Sequence, residues 1–201
     1  AHWAFQVPKK MPLPGDAGNP IDVILDDRRA ARGLKTQPEA ERMILIRRLY
    51  LDLIGLPPTR EQLNDPRPWE EIVEELLKNP QHGERWARHW LDLVGYADQI
   101  GTSNNVFAEH AWRYRDYVID AFHRDLPYDQ FVREQIAGDL LPPPPGQDVN
   151  IRGITATGLL ALGPKALAQQ DKVKMVYDVV DEQIDTTSKA FLGLTISCSR
   201  C

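Results

Sequence analysis

From residue 19 onward the apolar residues of this chain recur every three or four positions, and most such segments are bracketed by residues that start or stop helices. A half-buried strand needs alternation with period two, and no convincing stretch of that kind is present. The pattern confines the chain to an all-α fold, an irregular helical domain without internal repeats.

The punctuation gives the order of the helices. Asn19-Pro20 is an N-cap with proline at the first helical position, and Gly33 closes that segment. Thr36 and Glu39 have capping-box spacing and are expected to open the next helix, which carries Met43, Ile46, Leu49, Tyr50 and Leu53 and stops at Gly55 and Pro57-Pro58. Thr59 with Gln62 caps a short piece. Trp69, Ile72, Val73, Leu76 and Leu77 make an amphipathic helix that ends before Pro80. Glu84 to Tyr96 is predicted to place Trp86, Trp90, Leu93 and Ala97 on one stripe. Residues 100–107 read as a polar loop. Helices are predicted from about Glu109 to Leu126, with Trp112, Ile119, Phe122 and Leu126 inward, and from Tyr128 to about Leu140. Ile151 to Leu162 is a helix weakened by Gly153 and Gly158. Asp171 to Leu194 is the longest, with Val173, Val176, Val180, Ile184, Thr187, Phe191 and Leu194 on one face.

Two segments fall outside this scheme. Residues 1–18 are punctuated by Pro8, Pro12, Pro14, Gly15 and Gly18, so they read as an extended arm that Trp3 and Phe5 pin to the core. Residues 142–150 begin with four prolines and read as a stiff connector. A chain of 201 residues buries roughly 70% of its unfolded surface, enough for a core without staples. The net charge of −5 comes without a basic stripe, which argues against nucleic acid as the main partner. No apolar run approaches the roughly 18 residues of a membrane span. The first residue is Ala1 and no signal peptide is evident, so residues 1–201 are expected to be one helical domain cut from a larger multidomain protein.

Both cysteines of the chain, Cys198 and Cys201, stand three residues apart at its end. A disulfide between them would close a tiny loop and stabilise little, so a chemical purpose gains weight over a structural one. On a helical turn that spacing puts two sulfurs on one face. Thioethers to two haem vinyl groups, a redox disulfide, half of a zinc site and thiols without a role all satisfy it. A thioredoxin-like site fits poorly, because that motif belongs with a βαβ pattern.

The five histidines show no tight helical metal spacing. The plain reading makes His89 and His123 core-edge residues with a satisfied ring nitrogen. The sharper reading makes a histidine or a methionine a distal haem ligand. Arg113 and Arg115 alternate with Trp112, Tyr114 and Tyr117. Arg115 falls on the apolar stripe and needs a carboxylate partner there, with Asp92, Asp98, Asp116 and Asp139 as candidates. A structural ion pair is the simpler account. The functional account is a pocket of His89, Asp92, Asp98, Arg113 and Arg115 beside the polar loop.

Longer blocks carry a resemblance. They are Leu45 to Thr59, Gly83 to Asp92 with Tyr96-Ala97-Asp98, Trp112 to Phe122 running into Leu126 to Phe131, and Ala137 to Pro142. They continue in Asp185-Thr186-Thr187 and Ala190 to Thr195, which lead into Cys198-x-x-Cys201. In order and over nearly the whole chain, they resemble the planctomycete cytochrome-C-like domain of large exported bacterial proteins, a family otherwise of unknown function. The resemblance implies that Cys198 and Cys201 bind haem c and that a histidine ligand follows at once. The sequence stops at Cys201, so haem is expected in the longer parent protein rather than on these residues alone. It also implies an extracytoplasmic setting, in the periplasm or cell envelope. The implied partners are the other domains of the parent and a redox partner. Three functions compete: an electron-transfer haem domain, a metal-dependent enzyme domain using the His/Asp/Arg pocket, and a non-catalytic scaffold.

Overall fold

The helix-starting residues act largely as the sequence predicts. The computed structural model describes residues 2–10, 18–101, 106–165 and 170–197, and these are predominantly helical. The chain divides into two compact units, Ala1–Arg42 and Met43–Cys201.

In the first unit, helix α1 (Pro20–Ala30) starts where Asn19 Oδ1 accepts the Ile21 amide at 2.9 Å. Gly33 ends the following turn with a φ of 64°, a left-handed conformation that costs glycine little. The arm contains a 3-10 turn over Trp3–Phe5. Trp3 and Phe5 are exposed, not buried as the pinning role required. The helix expected at Thr36 does not start there. The Thr36 hydroxyl reaches the Asp26 carboxylate at 3.5 Å, and Pro38 biases Gln37 toward extended backbone.

The second unit begins within α2 (Arg42–Leu53) and continues through α3 (Arg60–Leu63), α4 (Trp69–Leu77) and α5 (Pro80–Leu93). A two-residue antiparallel ladder follows, β1 (Gln99–Ile100) with β2 (Val106–Phe107), pairing Gln99 with Phe107 and Ile100 with Val106. Then come α6 (Ala111–His123), α7 (Tyr128–Ala137), a 3-10 turn at Gly138–Leu140, α8 (Ile151–Ala156), α9 (Gly158–Ala161) and α10 (Lys172–Leu192). The Thr59 capping box forms in full: the Thr59 amide donates to Gln62 at 2.8 Å and the Gln62 amide to the Thr59 hydroxyl at 3.3 Å. Helix α5 starts four residues earlier than predicted, because Asn79 caps it and Pro80 takes the first position. The prolines at 142–145 lead through irregular backbone to α8.

Two apolar clusters are buried. Ile46, Tyr50, Ile54, Ile72 and Leu76 join α2 to α4. The larger cluster gathers Ala87, Trp90 and Val94, the α6 face Ala111, Tyr114, Tyr117, Val118 and Ala121, and Phe131, Ala156, Leu159 and Leu162. Its helix faces are turned from those predicted. Gly83, Ala87 and Trp90 face inward on α5, and Val94 is buried just after it, while Trp86 and Leu93 are exposed. Small residues decide this. A Cβ on Gly83 would stand 2.8 Å from the Ile119 carbonyl, so α5 and α6 can approach closely only on that face. The valine stripe of α10 differs most: Val173, Val176, Val180 and Ile184 are all exposed.

Candidate functional site

Cys198 and Cys201 lie outside the described residues, but the segment that leads to them is clear. Helix α10 ends in Gly193, whose left-handed φ of 65° turns the chain. The Ser197 amide then donates to Asp185 Oδ1 at 3.2 Å, and Lys189 lies 3.3 Å from the same carboxylate. Some desolvation opposes ionisation of Asp185. The amides of Ser197 and Ile196 and the Lys189 ammonium outweigh it and hold the carboxyl below its ordinary range. The residue before Cys198 is therefore tied to the side of α10.

The structure disperses the sequence-predicted pocket. His89 is exposed on α5 and packs its ring edge-on against Trp86 at 5.5 Å. Asp92 is exposed and 3.8 Å from Arg88. Asp98 accepts from the Tyr96 hydroxyl at 2.7 Å. Arg115 is partnered by its neighbour Asp116, with Nη2 at 2.9 Å and Nε at 3.0 Å from one carboxylate oxygen. Burial, then the Asp98 bond and its charge, push Tyr96 up to about 12, and Arg115 offsets part of that rise. Asp98 and Arg115 thus meet around Tyr96. Arg113 stands apart, stacked over Trp112 at 5.4 Å, on the wall of a cleft of about 450 Å³ with His110, Ile100, Ile154 and Leu162.

The most constrained polar chemistry lies elsewhere, on residues the sequence reading passed over. Gln135 is fully buried; its Oε1 accepts from the Tyr114 hydroxyl at 2.6 Å and from Trp90 Nε1 at 3.1 Å. Next to it the buried Glu134 carboxylate accepts from Tyr117 at 3.0 Å, Gln130 at 2.8 Å and Arg152 Nε at 2.9 Å. The Arg152 guanidinium also stacks on Tyr117 at 5.6 Å. Burial raises both Tyr114 and Tyr117, and for Tyr117 the Glu134 charge adds to it. A signal was present: Glu134 and Gln135 sit three and four residues after Phe131, on the inward stripe of α7. A buried cation, Lys165, contacts Glu182 and donates to the Leu162 carbonyl at 2.9 Å. Thr186 donates to the other Glu182 oxygen at 2.8 Å, so this pair is satisfied and structural.

A cavity of about 580 Å³ opens between α5, the end of α6 and the start of α7, walled by His82, Trp90, Phe122, Asp125, Tyr128 and Phe131. His82 Nδ1 lies 3.1 Å from the Leu53 carbonyl. Among the described residues no group of three or more His, Cys, Asp or Glu is arranged to hold a metal ion. No described helix is long and apolar enough to cross a membrane.

A family model described as PSCyt2, protein of unknown function (DUF1549), matches residues 20–201. No curated protein and no solved structure matches the chain.

Proposed function

The chain belongs to the PSCyt2 family, and from that premise we propose that Cys198 and Cys201 attach a haem c in the longer parent protein, giving an electron-transfer domain within a multidomain envelope protein. The observation that carries this reading is the Cys198-Ser199-Arg200-Cys201 motif, entered from a Ser197 whose amide is bound to Asp185 on α10.

The donor chemistry fits the group. The motif holds both cysteines of the chain, at the spacing of two haem thioethers. Bound haem would supply a one-electron couple whose potential depends on its axial ligands and surroundings. Asp185 does the positioning. Its ionised oxygen binds the amide just before Cys198, so the cysteine segment departs from a fixed point on a long helix. A carboxylate accepting backbone N–H bonds is a strong, charge-assisted anchor. The extracytoplasmic setting, the neighbouring domains and a redox partner belong to this same reading.

A pyridine haemochrome spectrum of the longer parent protein, matured in a host competent for c-type cytochromes, tests it. A haem c band that survives denaturation, and that disappears in Cys198→Ala/Cys201→Ala, is expected. Parent protein that matures without covalent haem overturns the reading.

A further inference from the structure

The wall of the 580 Å³ cavity has an unusual chemical bias. Four of its side chains are aromatic rings: Trp90, Phe122, Tyr128 and Phe131. Among the described residues no lysine or arginine lines it, and its one basic side chain is His82. Among the described residues its one acidic group is Asp125, which is exposed and whose carboxylate has no hydrogen-bond or ion-pair partner there. The neighbouring arginines are engaged elsewhere: Arg124 pairs with Asp120 at 2.9 Å and Arg133 with Asp129 at 3.0 Å.

Three of the rings, Trp90, Phe122 and Phe131, are held before any ligand arrives. Phe131 meets Trp90 edge-on at 4.9 Å and Phe122 edge-on at 6.1 Å. Trp90 directs its single N–H into the buried pair of Tyr114 and Gln135, so the indole presents ring carbon to the cavity. Asp125 has a φ of 50° and is the one non-glycine residue with positive φ among those described. Aspartate tolerates that conformation less easily than glycine, and the turn closes through the Leu126 amide to the Ala121 carbonyl at 2.9 Å. The strained turn places a carboxylate on the wall of an aromatic cavity.

From this arrangement we infer that the cavity binds an organic cation, a quaternary or alkylated ammonium carrying apolar substituents. Ring faces present negative charge density, and a cation with a diffuse, weakly hydrated charge loses little on leaving water to meet them. The Asp125 carboxylate complements the charge at the edge. An anion would face this carboxylate with no lysine or arginine beside it, and a neutral apolar molecule would gain the burial but not the charge term.

Phenyltrimethylammonium chloride and choline chloride, titrated into the full chain by calorimetry at neutral pH, test the inference. Saturable binding is expected, with phenyltrimethylammonium the tighter. The neutral isostere tert-butylbenzene and the anion benzoate should bind at least about tenfold more weakly, the scale of a cation–π contact together with an ion contact. Asp125→Asn removes the charge but keeps a side chain suited to the left-handed turn, so it should fold and weaken phenyltrimethylammonium binding several-fold, about threefold to tenfold. Tyr128→Ala, at an exposed position, is a second variant that should fold and lose a similar factor. Failure of both cations to saturate at millimolar concentration overturns the proposal. So does equal affinity for the neutral isostere, or unchanged affinity in both variants.

Discussion

Glu134 shows how one buried residue can organise its surroundings. Its carboxylate is almost sealed from water and accepts from Tyr117, Gln130 and Arg152. Removing it would leave the Arg152 guanidinium without its carboxylate, so Glu134→Ala should lower unfolding free energy by about 3 kcal/mol, the lower end for a broken buried pair because Arg152 is part exposed. Chemical denaturation measures this, and a loss below about 1 kcal/mol would mean that the network contributes little. The tyrosines add a pH dependence. Tyr96 stands at about 12 in the folded chain, while its unfolded value is near the ordinary 10. The folded state thus favours the neutral phenol. That stabilisation is fully present below pH 10 and is lost as pH rises toward 12, with Tyr114 and Tyr117, also raised, acting in the same direction. Melting temperature should therefore fall steeply above pH 10. In the native protein, tyrosinate absorbance from these three residues, and from Tyr50, which burial also raises, should appear above the ordinary tyrosine range. At Asp185 the sign reverses, since its folded value is depressed. Asp185→Asn should leave the melt nearly unchanged but accelerate hydrogen exchange at the Ser197 amide, which the carboxylate now holds.

At the scale of elements, helix ends were more legible in the sequence than helix faces. Asn19-Pro20, the Thr59 box and Asp171 cap where the local chemistry says they should, because a cap satisfies its own neighbours' amides and needs nothing distant. Asn79-Pro80 was equally readable, and the sequence reading took Pro80 for a stop when it opens α5. Faces depend on what packs across from them. On α5 the large aromatic Trp86 suggested the inward stripe, but Gly83 and Ala87 set it, since close approach to α6 needs small side chains. The weak segment at Ile151 broke into α8 and α9, and Gly153 has a purpose there. A Cβ on Gly153 would stand 2.1 Å from the Gly138 carbonyl, and one on Gly138 would stand 2.3 Å from the Gly153 carbonyl. The two backbones touch, and Asn150 ties the corner by accepting the Gly153 amide at 2.8 Å. Gly153→Ala should therefore destabilise by about 3 kcal/mol, as overpacking against a backbone that cannot yield, despite alanine's better helix propensity. Gly146→Ala makes a useful contrast. It meets nothing within 4 Å, but its φ of 80° makes the cost a backbone one.

At the scale of the molecule, the sequence made the helical class plain and left the site largely hidden. The pocket of His89, Asp92, Asp98, Arg113 and Arg115 was inferred from neighbours in sequence, yet His89 pairs with Trp86, Asp92 with Arg88 and Arg113 with Trp112, and only Asp98 and Arg115 come together, around Tyr96. The polar network and the aromatic cavity draw instead on residues dozens of positions apart, such as Trp90 with Gln135, which no local pattern brings together. The two apolar clusters of the second unit share no residue, and His82 on α5 touches the end of α2 through its ring nitrogen and the Leu53 carbonyl. If the unit unfolds as one, each cluster should contribute its own burial to a single transition, since sites without shared partners add. Ile72→Val trims the first cluster and should lower stability by about 1 kcal/mol, while Leu159→Ala opens a cavity in the second and should lower it by about 3 kcal/mol. Both side chains are almost fully buried. Urea denaturation of the two single variants and the double, followed by far-ultraviolet circular dichroism and by tryptophan fluorescence, gives the comparison. The losses should sum to within about 0.5 kcal/mol, with the two probes superimposing. Probes that separate in Leu159→Ala but coincide in Ile72→Val would show instead that the α2–α4 cluster stands without the larger one, with His82 as the seam where they part.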